Sequence, residues 1–340
     1  MAKIQVYKIE ITKVERKMIK FLTCASYYGS GSSAVTDLIS EYENVDNLTD
    51  YEFRFLHDPY GVRDLQYYLI DNQNRHNSGF GLKKFMKYTH FLEGNALFKR
   101  YVHYLGGAFK TETKKYIESL ITTSYHAYWQ YDLLERGSVY YFLTRLFYKV
   151  FHRDLFVKNI ESYLCDIDKE FFIERTKEYI EGVFRSRVTA PGNFLMVDQI
   201  VPSSNIDAFL PYFDRIKIFL VDRDPRDVYL SEKYVWHEGV VPHDAEQFIK
   251  WYKYCRKNQK EYIKHKEVCF VRFEDMIYRY EEAKRRIADF AGLEEERHTI
   301  PLSHFDPNKS IKNTRLYRVY TDEKDVMHLI EKELAEYIYE

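Results

Sequence analysis

Val221-Asp222-Arg223-Asp224-Pro225-Arg226-Asp227-Val228-Tyr229-Leu230-Ser231 joins the end of an apolar strand directly to the start of a helix. Asp224 is a natural N-cap, Pro225 suits the first helical position, and Asp227 puts acidic charge in the first turn. The stretch therefore predicts strand, tight turn and helix, with Arg223 at the strand's end. At roughly 1.5 Å rise per residue, Ser231 falls in the second helical turn, close enough for it and Arg223 to grip one phosphate between them. An arginine alone at such a turn reads as a surface ion pair with a neighbouring aspartate. Its combination with Ser231 favours an anion site.

Working outward, further apolar runs of strand length lie at 18–25 (MIKFLTCA), 193–197 (NFLMV), 217–221 (KIFLV) and 268–272 (VCFVR), each followed by a helical pattern. A second strand is expected at 51–56 (YEFRFL), ending where His57, Asp58, Pro59 and Gly61 turn the chain. Strands alternating with helices imply an α/β fold with a central, mainly parallel sheet flanked by helices. From 62 to about 190 the pattern changes to long amphipathic stretches crowded with Tyr, Phe, Lys and Arg. This reads as a large helical insertion within one domain spanning 1–340. Residues 1–17 (MAKIQVYKIEITKVERK) fit either an added edge strand or a mobile arm.

Composition excludes several classes. Fifty-one Lys and Arg against 52 Asp and Glu leave a net charge of −1, so no global basic field supports nucleic-acid binding and any anion site must be local. No signal-peptide succession opens the chain and no apolar run is long enough to cross a bilayer, so a cytoplasmic location is expected. Cys24, Cys165, Cys255 and Cys269 are scattered without a C-x-x-C pair, which suggests buried thiols rather than zinc or disulfides. The 32 Tyr and 24 Phe suit either sugar stacking at wet surfaces or an aromatic helical core.

Tyr28-Gly29-Ser30-Gly31-Ser32-Ser33 lies between the first strand and its helix, where a parallel sheet offers backbone N–H groups to a phosphate. Glycine allows close approach and serine hydroxyls add donors. The loop lacks the Gly-Lys-Ser/Thr ending of an ATP or GTP site. A nucleotide kinase would therefore miss its phosphate lysine and its Mg²⁺ hydroxyl.

Arg223 followed eight positions later by Ser231, within DRDPRDVYLS, resembles the 3′-phosphate-binding segment of sulfotransferases that use 3′-phosphoadenosine 5′-phosphosulfate (PAPS). In order and position, Gly29 to Ser33 resembles that family's 5′-phosphosulfate loop. Many members carry Lys or Arg where this chain has Gly29, so Arg54, Arg63 or another basic residue would have to supply that charge. Val271-Arg272-Phe273-Glu274-Asp275 is similar to a family strand-to-helix turn, with Glu274 or Asp275 as a helix cap. Lys309-Ser310-Ile311-Lys312-Asn313-Thr314-Arg315 resembles the late loop that covers the cofactor, and also fits a polar surface loop. The resemblance spans about 18–60 and 193–315 and not the helical middle. It implies a P-loop NTPase-like fold, PAPS as donor, adenosine 3′,5′-bisphosphate (PAP) as product and no metal.

Sulfuryl transfer needs in-line attack by an acceptor oxygen, a base for its proton and donors for charge growing on the leaving phosphate. In the family a histidine or a glutamate near the second strand is the base, which makes His57 and Glu52 the catalytic candidates. Their structural alternatives are a turn histidine bonded to Asp58 and an ion pair with Arg54. Asp198 and Gln199, at the exit of the third strand, suit acceptor contact or a turn before Pro202. The acceptor expected is a carbohydrate hydroxyl, on a glycan or a lipid-linked sugar. Tyr140 to Lys149 (YYFLTRLFYK) would line an acceptor groove, pack on the sheet or contact a membrane surface. The rival readings are a kinase-like enzyme and a non-catalytic PAP- or PAPS-binding protein.

Overall fold

The computed structural model describes residues 18–95, 97, 98, 100–127, 130–152 and 160–340. The arm at 1–17 lies outside the described residues. Five strands form a wholly parallel sheet: β1 (Lys20–Cys24), β2 (Val45–Leu48), β5 (Phe194–Val197), β6 (Ile216–Asp222) and β7 (Val268–Arg272). Their spatial order is β2-β5-β1-β6-β7, so β1 is central. The register pairs Leu22 with Met196 on one side and with Lys217 on the other.

The central strands are mainly apolar because both faces are covered. Leu22, Cys24, Phe219 and Val221 point to one layer, where they meet helix α1 (Ser33–Ser40) and the helices Phe273–Tyr278 and Tyr280–Ala291. Phe21, Ile218 and Leu220 point to the other, which the segment between β2 and β5 covers. Alternation along each strand thus separates two cores. A third apolar cluster joins the helices Pro225–Ser231, Ala245–Cys255 and Lys324–Glu333. All four cysteines are free thiols, and Cys24, Cys165 and Cys269 are buried.

The expected strand at 51–56 is not one. The second strand of the sheet is the earlier, polar Val45–Leu48 at the sheet edge. Residues 51–56 instead run past the end of β5 with a backbone bond from Phe53 N–H to the Asp198 carbonyl (3.1 Å). The Arg54 N–H donates to the Tyr101 hydroxyl (2.7 Å). The strand-like alternation of Tyr51, Phe53 and Phe55 comes from burial against aromatic helices. Phe53 packs edge-on against Phe184, and Phe55 against Phe109 and Tyr179.

Between β2 and β5 the chain forms mainly helices, including Arg75–Glu93, Ala108–Leu120 and Lys169–Phe184. It also forms an antiparallel hairpin of β3 (Thr123–His126) and β4 (Glu161–Leu164), which the helical reading did not include. Many of the aromatic residues lie in this core. Tyr116 stacks on Tyr179 at 4.6 Å, and their hydroxyls bond Thr176 (2.8 Å) and Thr113 (2.7 Å). Buried hydroxyls that pair in this way let tyrosine serve as core.

Candidate functional site

Both candidate anion-site stretches follow the carboxyl ends of the adjacent parallel strands β1 and β6. As the sequence indicates, the Asp224 side chain accepts the Arg226 N–H (2.9 Å) and Pro225 opens the helix. This turn aims the Arg223 side chain back over the β1 loop. Its Nη2 donates to Ser231 Oγ at 2.9 Å and to the Asn313 carbonyl, and its Nη1 donates to the Gly29 carbonyl at 3.2 Å. Three separate predicted segments therefore meet on one guanidinium.

Gly31, Ser33, Arg223, Ser231, Trp236, Phe273, His304, Ser310 and Asn313 line a cavity of about 240 Å³. Arg223 Nε at the cavity and Ser30 Oγ in the adjoining loop are buried and have no hydrogen-bond partner among the described residues. Ser30 N–H donates to the Tyr27 carbonyl and Ala34 N–H to the Gly31 carbonyl (both 3.1 Å). The N–H groups of Gly31, Ser32 and Ser33 find no acceptor among the described residues. Gly31 and Ser32 are half-buried and Ser33 is exposed, so these donors are open to a ligand or to water. Clustered before a helix and beside an arginine, they suit the oxygens of an anionic ligand.

Two side chains to which the sequence reading gave no role complete this cavity. Trp236 and Phe273 lie on the Arg223 guanidinium, with ring centroids 5.6 and 5.2 Å from its central carbon. Trp236 ends a π-helical turn, Glu232–Trp236, directly after Ser231. The tryptophan's spacing from Ser231 was the available signal for it. His304 reaches the cavity from a late loop, and no local pattern marks it.

The tight packing explains the glycines. Gly31 has φ +76°, and a Cβ there would stand 2.6 Å from the Phe273 ring. At Gly29, φ is +73° and a Cβ would meet Trp236 at 3.0 Å. A lysine or arginine at Gly29 would thus need a left-handed backbone and displacement of the indole. Arg223 and His304 are the basic residues lining the cavity. Arg54 and Arg63 line a different cleft and are paired, Arg54 with Asp58 (3.0 Å) and Arg63 with Asp71 (3.7 Å).

The late loop contributes unevenly. Asn313 and Ser310 line the cavity, while the Lys309 side chain is 80% exposed and pairs with Asp306. Lys312 is exposed. Thr314 is buried, donating to the Ile311 carbonyl (2.8 Å) and lying 2.6 Å from the Tyr278 hydroxyl. Asp227 anchors the loop by accepting the N–H groups of Arg315 and Leu316, both at 2.8 Å. Burial pushes the Asp227 carboxyl up to about 6. Glu274 and Asp275 do not cap their helix. Glu274 accepts the Asp224 N–H (2.6 Å) and so ties β7 to the Arg223 turn, while Asp275 accepts from Tyr339 (2.9 Å).

Beneath the turn, Asp222 and Arg256 form a fully buried pair. Arg256 Nε and Nη2 donate to the Asp222 carboxylate at 3.0 and 2.6 Å, and Gln259 adds a third donor at 2.7 Å. Burial acts to raise the Asp222 carboxyl, but Arg256 and its hydrogen bonds hold it below the ordinary range. The Tyr252 hydroxyl donates to the Arg223 carbonyl (2.8 Å), linking this pair to the anion site.

A larger cleft of about 920 Å³ opens beside the β1 loop. Tyr28, Arg54, His57, Arg63, Gln199, Asn205 and Tyr262 are among its lining residues. The Tyr28 hydroxyl donates to Glu238. His57 is buried, with Nε2 2.8 Å from the Gln199 carbonyl and Nδ1 3.7 Å from Asp58 Oδ1. A carbonyl only accepts, so Nε2 carries the proton and Nδ1 keeps a lone pair. Burial holds the His57 imidazole down at about 4. Glu52 lies outside both cavities, half exposed and 3.4 Å from Arg54. Asp198 has one buried carboxylate oxygen without a partner among the described residues, and burial followed by the charge of Glu52 pushes it up to about 7. Among the described residues, no group of three or more His, Cys, Asp or Glu is placed to hold a metal ion.

No family model matches this chain, and no curated protein matches it. Among solved structures it is similar to a sulfotransferase from Mycobacterium avium, at 13% identity and TM-score 0.36 over 90% of this chain and 76% of that one. It is similar to the sulfotransferase domain of an olefin synthase from Synechococcus, at 10% identity and TM-score 0.40 over 86% and 79% of the two chains. A third is retinol dehydratase, solved with androsterone and the inactive cofactor PAP, at 14% identity and TM-score 0.37 over 95% and 82%. With TM-scores no higher than 0.40, these similarities say nothing of ligand or reaction.

Proposed function

We propose that the chain transfers a sulfuryl group from PAPS to a hydroxyl on a second molecule. The observation that carries this reading is the convergence of Arg223, Ser231 and the loop residues Gly31 and Ser33 on one cavity, with the buried Arg223 Nε still lacking a partner among the described residues. Arg223 and Ser231 would hold the 3′-phosphate, the loop's N–H groups the 5′-phosphosulfate, and Trp236 and Phe273 the flat base. A loop with no lysine and no Gly-Lys-Ser/Thr ending is poorly equipped for ATP with Mg²⁺.

In the transfer the acceptor oxygen bonds to sulfur, the sulfur–oxygen bond to the 5′-phosphate breaks, and its electron pair stays on the phosphate oxygen. This chain has to take the acceptor's proton and stabilise that oxygen. His57 is better placed than Glu52 for the first task because it lines the large cleft and its Nε2 is committed to Gln199, leaving Nδ1 to accept. Asp58 beside Nδ1 would offset the imidazolium charge. With Gly29 lacking a side chain, the loop's backbone N–H groups would stabilise the leaving 5′-phosphate.

The acceptor is proposed to be a carbohydrate or glycolipid hydroxyl. The cleft is rich in hydrogen-bonding groups, such as Arg63, Asp64, Ser203, Asn205 and Asn258, with Tyr28, Tyr262 and Phe209 as ring surfaces. Such a lining suits a polyhydroxyl ligand. The helical segment at 62–190 would then serve acceptor binding through Arg63 and Asp64. Incubation with radiolabelled PAPS and panels of sugars, glycolipids, phenols and peptides tests both levels. Labelled sugar supports the whole proposal, label on another class removes only the acceptor assignment, and no label on any hydroxyl removes the transferase reading.

A further inference from the structure

The helix Ser138–Phe151 (SVYYFLTRLFYKVF) has one buried residue, Thr144. At about 100° per residue, Val139, Phe142, Leu143, Leu146 and Val150 fall within an arc of about 100°. They are 72%, 64%, 54%, 47% and 60% exposed. Thr144 lies on the opposite side, where Tyr141, Tyr148 and Phe151 are also exposed (39%, 47% and 58%), so the stripe points away from the one buried contact of a helix that is otherwise largely uncovered. Five large apolar side chains exposed on one face are unusual for a protein surface.

The charge on this helix is one-sided. From Gly137 to His152 the sequence contains Arg145 and Lys149 and no Asp or Glu, although the chain as a whole carries a net charge of −1. Both cations fall beside the apolar stripe, on the same flank. An apolar stripe edged by cations matches the boundary between acyl chains and anionic headgroups. A second copy of the helix would bring the same cations and no carboxylate to meet them. No helix among the described residues is long and apolar enough to cross a membrane, and fourteen residues suit a helix that lies in the interface.

We propose that the helix Ser138–Phe151 docks the protein on an anionic lipid bilayer, with Val139, Phe142, Leu143, Leu146 and Val150 entering the acyl boundary and Arg145 and Lys149 meeting the headgroups. The proposal does not rest on the transferase reading, so its test stands whichever ligand the cleft takes.

The test is co-sedimentation of the full chain with phosphatidylcholine vesicles, with and without phosphatidylglycerol. The expected result is binding to the anionic vesicles that weakens as salt is added. Leu143→Asp with Leu146→Asp should lower the bound fraction about tenfold or more, with the thermal midpoint unchanged because both side chains are exposed. Arg145→Gln with Lys149→Gln should weaken binding and flatten its salt dependence. Failure to bind either vesicle overturns the proposal, as does undiminished binding of the aspartate variant. A dimer in light scattering that the aspartate variant splits, without vesicle binding, would assign the face to a second copy of this chain.

Discussion

The Arg223 guanidinium donates to Ser231 Oγ across 2.9 Å, from the end of β6 to the second turn of the helix that follows it. Only this helical spacing lets one strand end and one helix face close on the same anion. Because Arg223 is held from two further sides by the Gly29 and Asn313 carbonyls, its position does not depend on Ser231. Ser231→Ala should therefore weaken PAP binding about tenfold, the value of one hydrogen bond to a charged ligand. Calorimetric titration checks this, and an unchanged affinity would remove Ser231 from the site.

Gly31 tests the loop. Its φ of +76° and the 2.6 Å approach of the Phe273 ring leave no room for a methyl group. Gly31→Ala should destabilise the fold by about 1–3 kcal/mol and abolish PAP binding. Urea denaturation and titration of the same variant separate the two effects.

The buried Asp222–Arg256 pair sets up the turn that carries Arg223. Arg256→Met leaves the Asp222 carboxylate uncompensated and should cost about 3–5 kcal/mol. Adding Asp222→Leu should return part of that loss, because removing both charges avoids the desolvation penalty. If the single and double variants are equally unstable in urea, the pair is not the source.

His57 gives a pH signature. Burial holds it at about 4 against an ordinary 6.5, so the folded state prefers the neutral ring. Its contribution is fully present above pH 6.5 and is lost as pH falls towards 4, a difference of about 3 kcal/mol. Relative to His57→Gln, the wild type should lose stability between pH 6.5 and 4 and run parallel to it above pH 7. In turnover, a limb near pH 4 that the variant abolishes supports His57 as the base. A limb near pH 7 that Asp198→Asn removes would assign that role to Asp198, whose carboxyl burial raises to about 7.

The parallel sheet was legible because four of its strands are mainly apolar runs, as in 217–221 within the sheet and 268–272 at its edge. The strand Val45–Leu48 was not, since an edge strand reading VDNL carries no apolar signal. Alternation at 51–56 pointed to the wrong element because Phe53 and Phe55 are buried by helices rather than by a neighbouring strand. Within the candidate site, the placement of Arg223, Ser231 and the Gly/Ser loop could be read because it follows from the local strand-to-helix spacing. Trp236, Phe273 and His304 come together only through tertiary packing. Lys309 and Lys312 sit in the right loop but project into solvent, and no sequence pattern separates them from Asn313, whose backbone carbonyl meets Arg223.

Calorimetric binding of PAP to the wild type and to Arg223→Ala, with ATP plus Mg²⁺ as competitor, is the most direct test of the central claim. The account predicts tight binding of PAP, little effect of ATP with Mg²⁺, and loss of binding in the variant. Preference for ATP with Mg²⁺, or PAP binding that survives Arg223→Ala, would contradict it.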